Sequence, residues 1–257
     1  MIIWEKRMTP TIVFEEFDGI ARLGFNRAAQ HNALGKIELA GIESALKNLS
    51  ADTRVLMICS EGGRTFCAGA DLGQISSGEL TGDQFQAVTN QIADLSIPTI
   101  CVANGNIFGG GVELAMSCDF RMAADDVLMR VPAAAIGLCY PTDGIERFVS
   151  RLGVTVAKRI LVGAEELSAD EMKALRIVDW TASASGIMDE ALDAANALAR
   201  LAPLAVSAML EIIKQAEAGS IDRVRAAQLS EMCGRSEDLK EGLLAKRERR
   251  SPRFLGH

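Results

Sequence analysis

The sequence is poor in the residues that many catalytic and metal sites require. Its 257 residues include only two histidines, His31 and His257, and a single tyrosine. A metal site built on imidazoles, or a Ser-His-Asp triad, would therefore have few residues to use. His31 could act as a base, but we expect it to have a structural or backbone-contact role. We expect the terminal His257 to be frayed.

The cysteines show no pattern of a redox or zinc site, because none of them forms a C-x-x-C pair. The chain is large and acidic, unlike the short cysteine-rich domains that depend on disulfides. We therefore expect reduced cysteines in or near the core. They are Cys59, Cys67, Cys101, Cys118, Cys139 and Cys233.

Basic charge and long apolar runs are also lacking. A net charge of −7 argues against nucleic acid or an anionic membrane as the main partner. The apolar runs are far shorter than the roughly 20 residues of a membrane span, and the start "MIIWEKRMTP" does not resemble a signal peptide. We expect a cytoplasmic protein without a membrane partner. Its 49% of hydrophobic residues predict an ordered chain with a large core.

The first half of the chain twice repeats one pattern, in which a helix is followed by a buried strand, a glycine-rich loop and another helix. The strands are "RVLMICS" (54–60) and "IPTICVAN" (97–104), and the loops are "EGGRTFCAGADL" (61–72) and "GNIFGGG" (105–111). This pattern predicts an α/β fold with a parallel sheet, whose functional loops follow the carboxyl ends of strands. A hairpin over 11–25, with its turn at Asp18-Gly19, and a helix over 35–50 complete this half.

From about Gly144 the pattern becomes mostly helical. "LSADEMKALRIVD" opens with a capping box from Ser168 to Glu171, and amphipathic helices are expected over 185–217 and 221–249. No glycine- or proline-rich linker separates the two halves. We expect the helical part to pack on the α/β core or on a neighbouring subunit.

The two glycine-rich loops are typical of anion sites, because a loop that feeds a helix offers free N–H groups and the positive end of the helix dipole. Neither loop fits a nucleotide-phosphate motif such as G-x-x-x-x-G-K-[ST] or G-x-G-x-x-G. One alternative is an oxyanion hole with one N–H from each loop. The other is that the glycines only permit tight turns and close packing. Glu113, just after the glycines, likewise either complements the helix dipole or moves a proton beside such a carbonyl.

Several motifs, in order and over nearly the whole chain, resemble the crotonase, or enoyl-CoA hydratase/isomerase, superfamily. They are "NRAAQHNAL" (26–34), "RTFCAGADL" (64–72), "ANGNIFGGGVELAMSCDFRMA" (103–123), "VPAAAIGLCYPTDGIERF" (131–148), "LSADEMKALRIVD" and the tail "EGLLAKRERRSPRFLGH".

The resemblance implies a spiral core of ββα units over 1–195 and a helical C-terminal region over 196–257 that builds homotrimers or dimers of trimers. It implies an acyl-CoA substrate and no separate cofactor, since CoA is part of the substrate. By position, the backbone N–H groups of Ala70 and Gly110 would hold the thioester oxygen, and Glu113 would be the acid or base. Substrate would be bound along Ala29, His31, Ala68, Asp71, Leu72, Pro132, Ala133 and Lys246.

The chain departs from this family's pattern at Ala133, where hydratases of the family carry a second glutamate. Replacement groups could come from the next residues: Tyr140 as a hydrogen-bond or proton donor, and Asp143 as a second base. Tyr140 could instead be an ordinary packed loop residue, and Asp143 could cap a helix over 144–151. In the tail, Lys246 stands where relatives carry an aromatic residue near the adenine of CoA, and "KRERR" (246–250) would contact CoA phosphates or form a solvated face.

Four functions remain open from the sequence. A hydratase-like lyase that passes through an enolate comes first. A one-carboxylate isomerase and a methylmalonyl-CoA decarboxylase-like enzyme follow, since loss of CO₂ forms an enolate without a strong base. A non-catalytic acyl-CoA-binding paralogue is the alternative outside enzymes.

Overall fold

The structure is a computed structural model that describes residues 11–257 and the backbone of residues 5–8. The described elements are, in chain order, β1 (Glu5–Met8), β2 (Ile12–Phe17), β3 (Ile20–Phe25), α1 (Lys36–Lys47), β4 (Val55–Ser60), β5 (Thr65–Cys67), α2 (Leu72–Ser77), α3 (Gly82–Ala93), β6 (Thr99–Ala103), β7 (Asn106–Phe108), α4 (Gly110–Ser117), β8 (Phe120–Ala124), β9 (Leu128–Arg130), α5 (Thr142–Leu161), β10 (Leu167–Ser168), α6 (Ala169–Ala174), β11 (Trp180–Ala182), α7 (Ile187–Ala199), α8 (Pro203–Glu217), α9 (Arg223–Arg235) and α10 (Glu237–Glu248).

The main sheet has the strand order β1-β2-β3-β4-β6-β8-β11. Its first three strands are antiparallel, and from β3 to β11 every neighbouring pair is parallel. The predicted hairpin over 11–25 is confirmed, with Asp18 and Gly19 at positive φ in the turn. All residues of β4 and β6 are buried, as the continuous apolar runs predict for strands covered on both faces.

A second, smaller sheet positions the two glycine-rich loops. Its order is β10-β9-β7-β5, with β5 parallel to β7 and β7 parallel to β9. The sequence did not predict β5 or β7, because each is only three residues long and lies within a segment that reads as a loop. Since β5 and β7 are parallel neighbours, their carboxyl ends lie together, and the loops that follow them meet.

The C-terminal part is helical, as expected, but its helices are shorter than predicted. The segment 185–217 is divided into α7 and α8, because Pro203 starts a new helix at its first position. The segment 221–249 is divided into α9 and α10, because Ser236 ends one helix and its side chain caps the next. The capping box of Ser168 and Glu171 is confirmed at the start of α6.

Two further expectations can be compared with the described residues. All six cysteines are free, and Cys59, Cys67, Cys101 and Cys118 are buried, but Cys139 is exposed, so the expectation of a core position is wrong there. Within the described part of the chain no single helix is long and apolar enough to cross a membrane. The helices α7 and α8 reach that length and composition only as a pair, across a bend of 102°.

Candidate active site

The two glycine-rich loops are in backbone contact. Gly69 adopts φ +84°, and a Cβ atom at this position would lie 2.3 Å from the backbone nitrogen of Gly110. Gly111 is as restricted, because a Cβ there would lie 2.3 Å from the carbonyl oxygen of Cys67. The close approach of the loops therefore requires both glycines, and at Gly69 the backbone conformation favours glycine as well.

The contact leaves two N–H groups side by side without partners. Backbone hydrogen bonds hold the first loop, from the Leu34 nitrogen to the Gly69 oxygen (2.8 Å) and from the Asp71 nitrogen to the Leu34 oxygen (3.0 Å). The N–H of Ala70, between them, donates to no acceptor among the described residues. Gly110 is the first residue of α4, so its N–H has no acceptor within the helix. Both residues are half-buried.

Glu113 lies in the first turn of α4, but its carboxylate is held by side chains rather than by the helix. It is 1% exposed. Its Oε1 atom accepts hydrogen bonds from Gln86 Nε2, from Thr89 Oγ1 (3.1 Å) and from Arg147 Nη1 (3.0 Å). The contact with Arg147 is also an ion pair, which compensates a buried charge. Helix capping is therefore not the main interaction of this carboxylate.

Tyr140 lies next to Glu113, across a space that Gly144 leaves open. A Cβ at Gly144 would lie 2.6 Å from Tyr140 Cε1 and 3.1 Å from Glu113 Oε2. The Tyr140 hydroxyl is buried and has no hydrogen-bond partner of ordinary geometry among the described residues, although it lies close enough to the Glu113 carboxylate for a hydrogen-bonding interaction to contribute to its pKa. Burial, and after it the nearby Glu113 carboxylate, raise the pKa of Tyr140 well above its ordinary value. The hydroxyl thus stays protonated and remains a potential donor at neutral pH.

The position of the expected second glutamate is apolar in three dimensions as well. Ala133 is buried at the start of the 3-10 turn over 134–136. Asp143 is exposed, and its Oδ2 accepts a hydrogen bond from Asn90 Nδ2 at 2.9 Å. Asn90 in turn accepts from Arg147, so Asp143 is connected to Glu113 only through these two residues. The expectation that Asp143 caps a helix over 144–151 is wrong, because α5 begins at Thr142 with Pro141 as its N-cap.

Comparisons with known proteins identify the family of the chain. The sequence model of the enoyl-CoA hydratase/isomerase family matches residues 15–257. The chain belongs to the enoyl-CoA hydratase/isomerase family. It is 33% identical to mitochondrial methylglutaconyl-CoA hydratase of Homo sapiens over 257 residues, covering 94% of this chain and 75% of that protein.

A bacterial relative and a solved structure extend the likeness. Carnitinyl-CoA dehydratase of Proteus mirabilis is 33% identical over 213 residues, covering 79% of this chain and 82% of that protein. The solved structure of enoyl-CoA hydratase from Bacillus anthracis has a TM-score of 0.88 at 26% identity, covering 96% of this chain and 100% of that one. The expected crotonase fold, an α/β core with C-terminal helices, is thereby confirmed.

Some substrate-binding residues expected from the family form one edge beside the first loop. The carbonyl oxygen of His31 accepts from the Ala68 nitrogen at 3.1 Å, so His31 has the backbone contact expected of it. Asp71 caps the short helix α2 and accepts from Arg27 Nη1 at 3.0 Å. The hydrogen bond from Arg27 lowers the pKa of Asp71 below its ordinary value. The other expected positions are exposed at Ala29, Leu72 and Lys246 and half-buried at Pro132.

Four residues of the site were not identified from the sequence. Gln86 and Thr89 reach Glu113 from α3, Phe85 of the same helix lies against Gly110, and Arg147 reaches Glu113 from α5. Gln86 and Thr89 are buried polar residues among the apolar residues of α3, a pattern that could have indicated an internal polar partner. Nothing in the sequence pattern assigns that partner to Glu113. Within the described residues, no cluster of histidine, cysteine or acidic side chains could hold a metal ion.

Proposed function

We propose that this chain is an enzyme that binds an acyl-CoA thioester and stabilises its enolate between the backbone N–H groups of Ala70 and Gly110. The observation that carries the proposal is the Gly69–Gly110 contact, which places two unpartnered donors side by side. Donors fixed in this way stabilise the charge that develops on a carbonyl oxygen, because they need no reorganisation during the reaction. The CoA moiety belongs to the substrate, and the proposal requires no separate cofactor.

Glu113 is the proposed proton-transfer group. Its carboxylate lies in the first turn of the helix that begins with Gly110, close to the proposed oxyanion site. A carboxylate there can remove or return a proton at the carbon next to the thioester carbonyl. Tyr140 is the proposed second group, since its ring and Glu113 Oε2 border the same space at Gly144 and its hydroxyl is buried.

The proposed reaction is the reversible addition of water to an enoyl-CoA thioester. The two relatives named above are a hydratase and a dehydratase. Because Ala133 provides no second carboxylate, Glu113 would accept a proton from water while the hydroxyl group joins the β-carbon. The same proton would then pass to the α-carbon of the enolate, and Tyr140 would hydrogen-bond the attacking water.

Decarboxylation is the second candidate, favoured by the buried alanine at position 133 and by the protonated hydroxyl of Tyr140 near Glu113. The bond between the α-carbon and the carboxyl carbon would break, leaving its electron pair as the enolate and releasing CO₂. A proton would then be added to the α-carbon. The ion pair with Arg147 offsets the repulsion between Glu113 and a substrate carboxylate.

A panel of thioesters tests these proposals. Hydration of crotonyl-CoA and 3-methylglutaconyl-CoA is followed by the loss of enoyl absorbance, and methylmalonyl-CoA is assayed for released CO₂. We expect hydration, with a loss of about 10²–10⁴-fold in kcat for Glu113→Gln. Glu165→Gln, at a half-buried glutamate that pairs with Arg159 and not with Glu113, is the control and should retain full activity. CO₂ release without hydration would favour the decarboxylase, and binding without any turnover would favour the non-catalytic paralogue.

We also propose that the C-terminal helices mediate a homotrimer or a dimer of trimers. Large apolar side chains on α8 and α10 are exposed in the single chain, among them Met209, Ile213 and Leu243. Exposed apolar surface of this kind is typical of an interface. Light scattering on the purified protein checks the proposal, and a monomer at micromolar concentration would contradict it.

A further inference from the structure

The two carboxylate oxygens of Glu113 have different surroundings. Oε1 accepts from Gln86, Thr89 and Arg147. Oε2 accepts no hydrogen bond of ordinary length from the described residues and faces the space that Gly144 leaves open, 3.1 Å from where a Cβ would stand, with Tyr140 beside the same space. An ionised carboxylate has about four lone-pair sites, two on each oxygen. Gln86 and Arg147 alone fill the two sites of Oε1, and Thr89 lies beside it with a single proton that can also go to the Gln86 carbonyl oxygen. Oε2 is therefore the oxygen with acceptor sites left for a substrate.

Arg147 is itself held in a fixed orientation. Its side chain is 10% exposed, and its Nη1 donates to Glu113 and, at 3.4 Å, to Thr89 Oγ1. Its Nη2 donates to the Oδ1 atom of Asn90, whose amide group also donates to Asp143. A planar guanidinium that is bound through both terminal nitrogens cannot rotate without breaking several hydrogen bonds. Its orientation thus fixes the plane and position of the Glu113 carboxylate.

We propose that Arg147 is a positioning residue, which binds Glu113 Oε1 so that Oε2 is the oxygen that carries the proton in the reaction. This inference rests on the proposed enolate chemistry. In this proposal Arg147 acts through Glu113 and transfers no proton itself. Asn90 completes the arrangement by holding the far side of the guanidinium.

The surroundings of Arg147 make a chemical-rescue experiment possible. A polar cleft of about 630 Å³ is lined by Arg147 together with Asn90, Asp143 and Arg151. If Arg147 is replaced by alanine, a guanidinium ion can enter from this cleft and occupy the vacated position. Arg151 is a matched control, because it lines the same cleft but pairs with Glu217 at 3.1 Å and not with Glu113.

The test compares Arg147→Ala with Arg151→Ala, using a thioester that the wild-type enzyme converts. For Arg147→Ala we expect kcat to fall about 10²-fold with little change in KM, because a catalytic group displaced by about 1 Å loses that much rate. Adding guanidinium, well below denaturing concentrations, should raise kcat of this variant at least about tenfold. Arg151→Ala should keep wild-type kcat and show no response to guanidinium.

Arg147→Lys keeps the inference testable if the alanine variant does not fold. Lysine retains the charge but cannot bind Asn90 and Glu113 through one planar group, so kcat should still fall while the unfolding temperature stays near that of the wild type. Wild-type kcat in either folded variant would overturn the inference. So would a loss of kcat in the alanine variant that guanidinium does not reverse. A wild-type enzyme that converts no thioester at all would instead overturn the proposed function, and with it this inference.

Discussion

The two sides of the candidate active site are built in different ways. The backbone side consists of Gly69, Ala70 and Gly110, and its chemistry depends on main-chain atoms of two loops in contact. The side-chain side is formed by Glu113 and Tyr140 with their neighbours on α3, α4 and α5. The backbone side has no room for additional atoms. The chemistry of the side-chain side depends on the polar groups that the helices contribute to it. Substitutions should therefore fail for steric reasons on the first side and for chemical reasons on the second.

Among substitutions other than that of Glu113, Gly69→Ala should have the largest effect. The added methyl group would lie 2.3 Å from the Gly110 nitrogen, so the loops must separate and at least one donor is displaced. Loss of one oxyanion donor reduces kcat by about 10²–10³-fold. The free energy of unfolding should also fall, as measured by urea denaturation monitored by circular dichroism.

Gly78→Ala is the matched control for this substitution. Gly78 has a similar positive φ of +75°, but a Cβ there would meet nothing within 4 Å. The free energy of unfolding of this variant should fall by only about 1–2 kcal/mol, because alanine is strained in a left-handed conformation. Its kcat should not change. Equal losses of kcat in both variants would show that the contact between the two loops does not cause the loss of activity in Gly69→Ala.

Tyr140→Phe should come next, and it tests the side-chain side. If the hydroxyl takes part in the reaction, kcat should fall about 10²-fold. The free energy of unfolding should stay the same or rise, because the hydroxyl is buried without a hydrogen-bond partner of ordinary geometry. Steady-state kinetics and urea denaturation on one preparation measure both. Unchanged kcat would identify Tyr140 as an ordinary packed residue.

Gly144→Ala should have a smaller effect. The added methyl group would contact the Tyr140 ring and approach Glu113 Oε2 to 3.1 Å, which should cost about tenfold in kcat and about 1–3 kcal/mol in stability. Gly234→Ala, at a glycine of α9 with open space around it, should raise stability by about 0.5–1 kcal/mol without affecting kcat. A gain in stability for Gly144→Ala would contradict the described packing.

The smallest effect should be a pH dependence of stability that comes from Tyr140. Burial raises the pKa of Tyr140 in the folded state, so above pH ~10 the unfolded chain releases this proton while the folded chain keeps it. Stability should then fall as pH rises, by at most about 1.4 kcal/mol per pH unit. Urea denaturation between pH 9 and 11 should show a steeper fall for the wild type than for Tyr140→Phe. If the stability of the wild type and of Tyr140→Phe fell equally with pH, the Tyr140 hydroxyl would not be buried in the folded protein.

The fold and the backbone side could largely be predicted from the sequence. The runs at 54–60 and 97–104 are continuous and apolar, so buried parallel strands followed at once. The glycines near Gly69 and Gly110 left two interpretations open, an oxyanion hole or close packing. The structure shows the close approach that only glycine permits, while the oxyanion role stays a prediction. The strands β5 and β7 escaped prediction, because three-residue strands carry too little periodicity to be recognised.

The side-chain side could be predicted only in part. Glu113, Tyr140 and the apolar Ala133 were identified from motif positions, and their roles stay predictions. Arg147 was not identified, because its partner lies 34 positions earlier in the chain and the two meet only when α4 and α5 pack together. The spacing of residues in a sequence indicates which side chains are neighbours on one helix, but not which side chains meet between two helices.

The most direct test of the enolate site is exchange of the α-proton of a saturated thioester. Butyryl-CoA has no double bond to hydrate and no carboxylate to lose, so exchange requires only an oxyanion site and a base. In D₂O, we predict that the wild-type enzyme incorporates deuterium at the α-carbon, followed by NMR. Glu113→Gln should abolish the exchange, and Gly69→Ala should strongly reduce it. Equal exchange by the wild type and Glu113→Gln, or none by the wild type, would contradict the account.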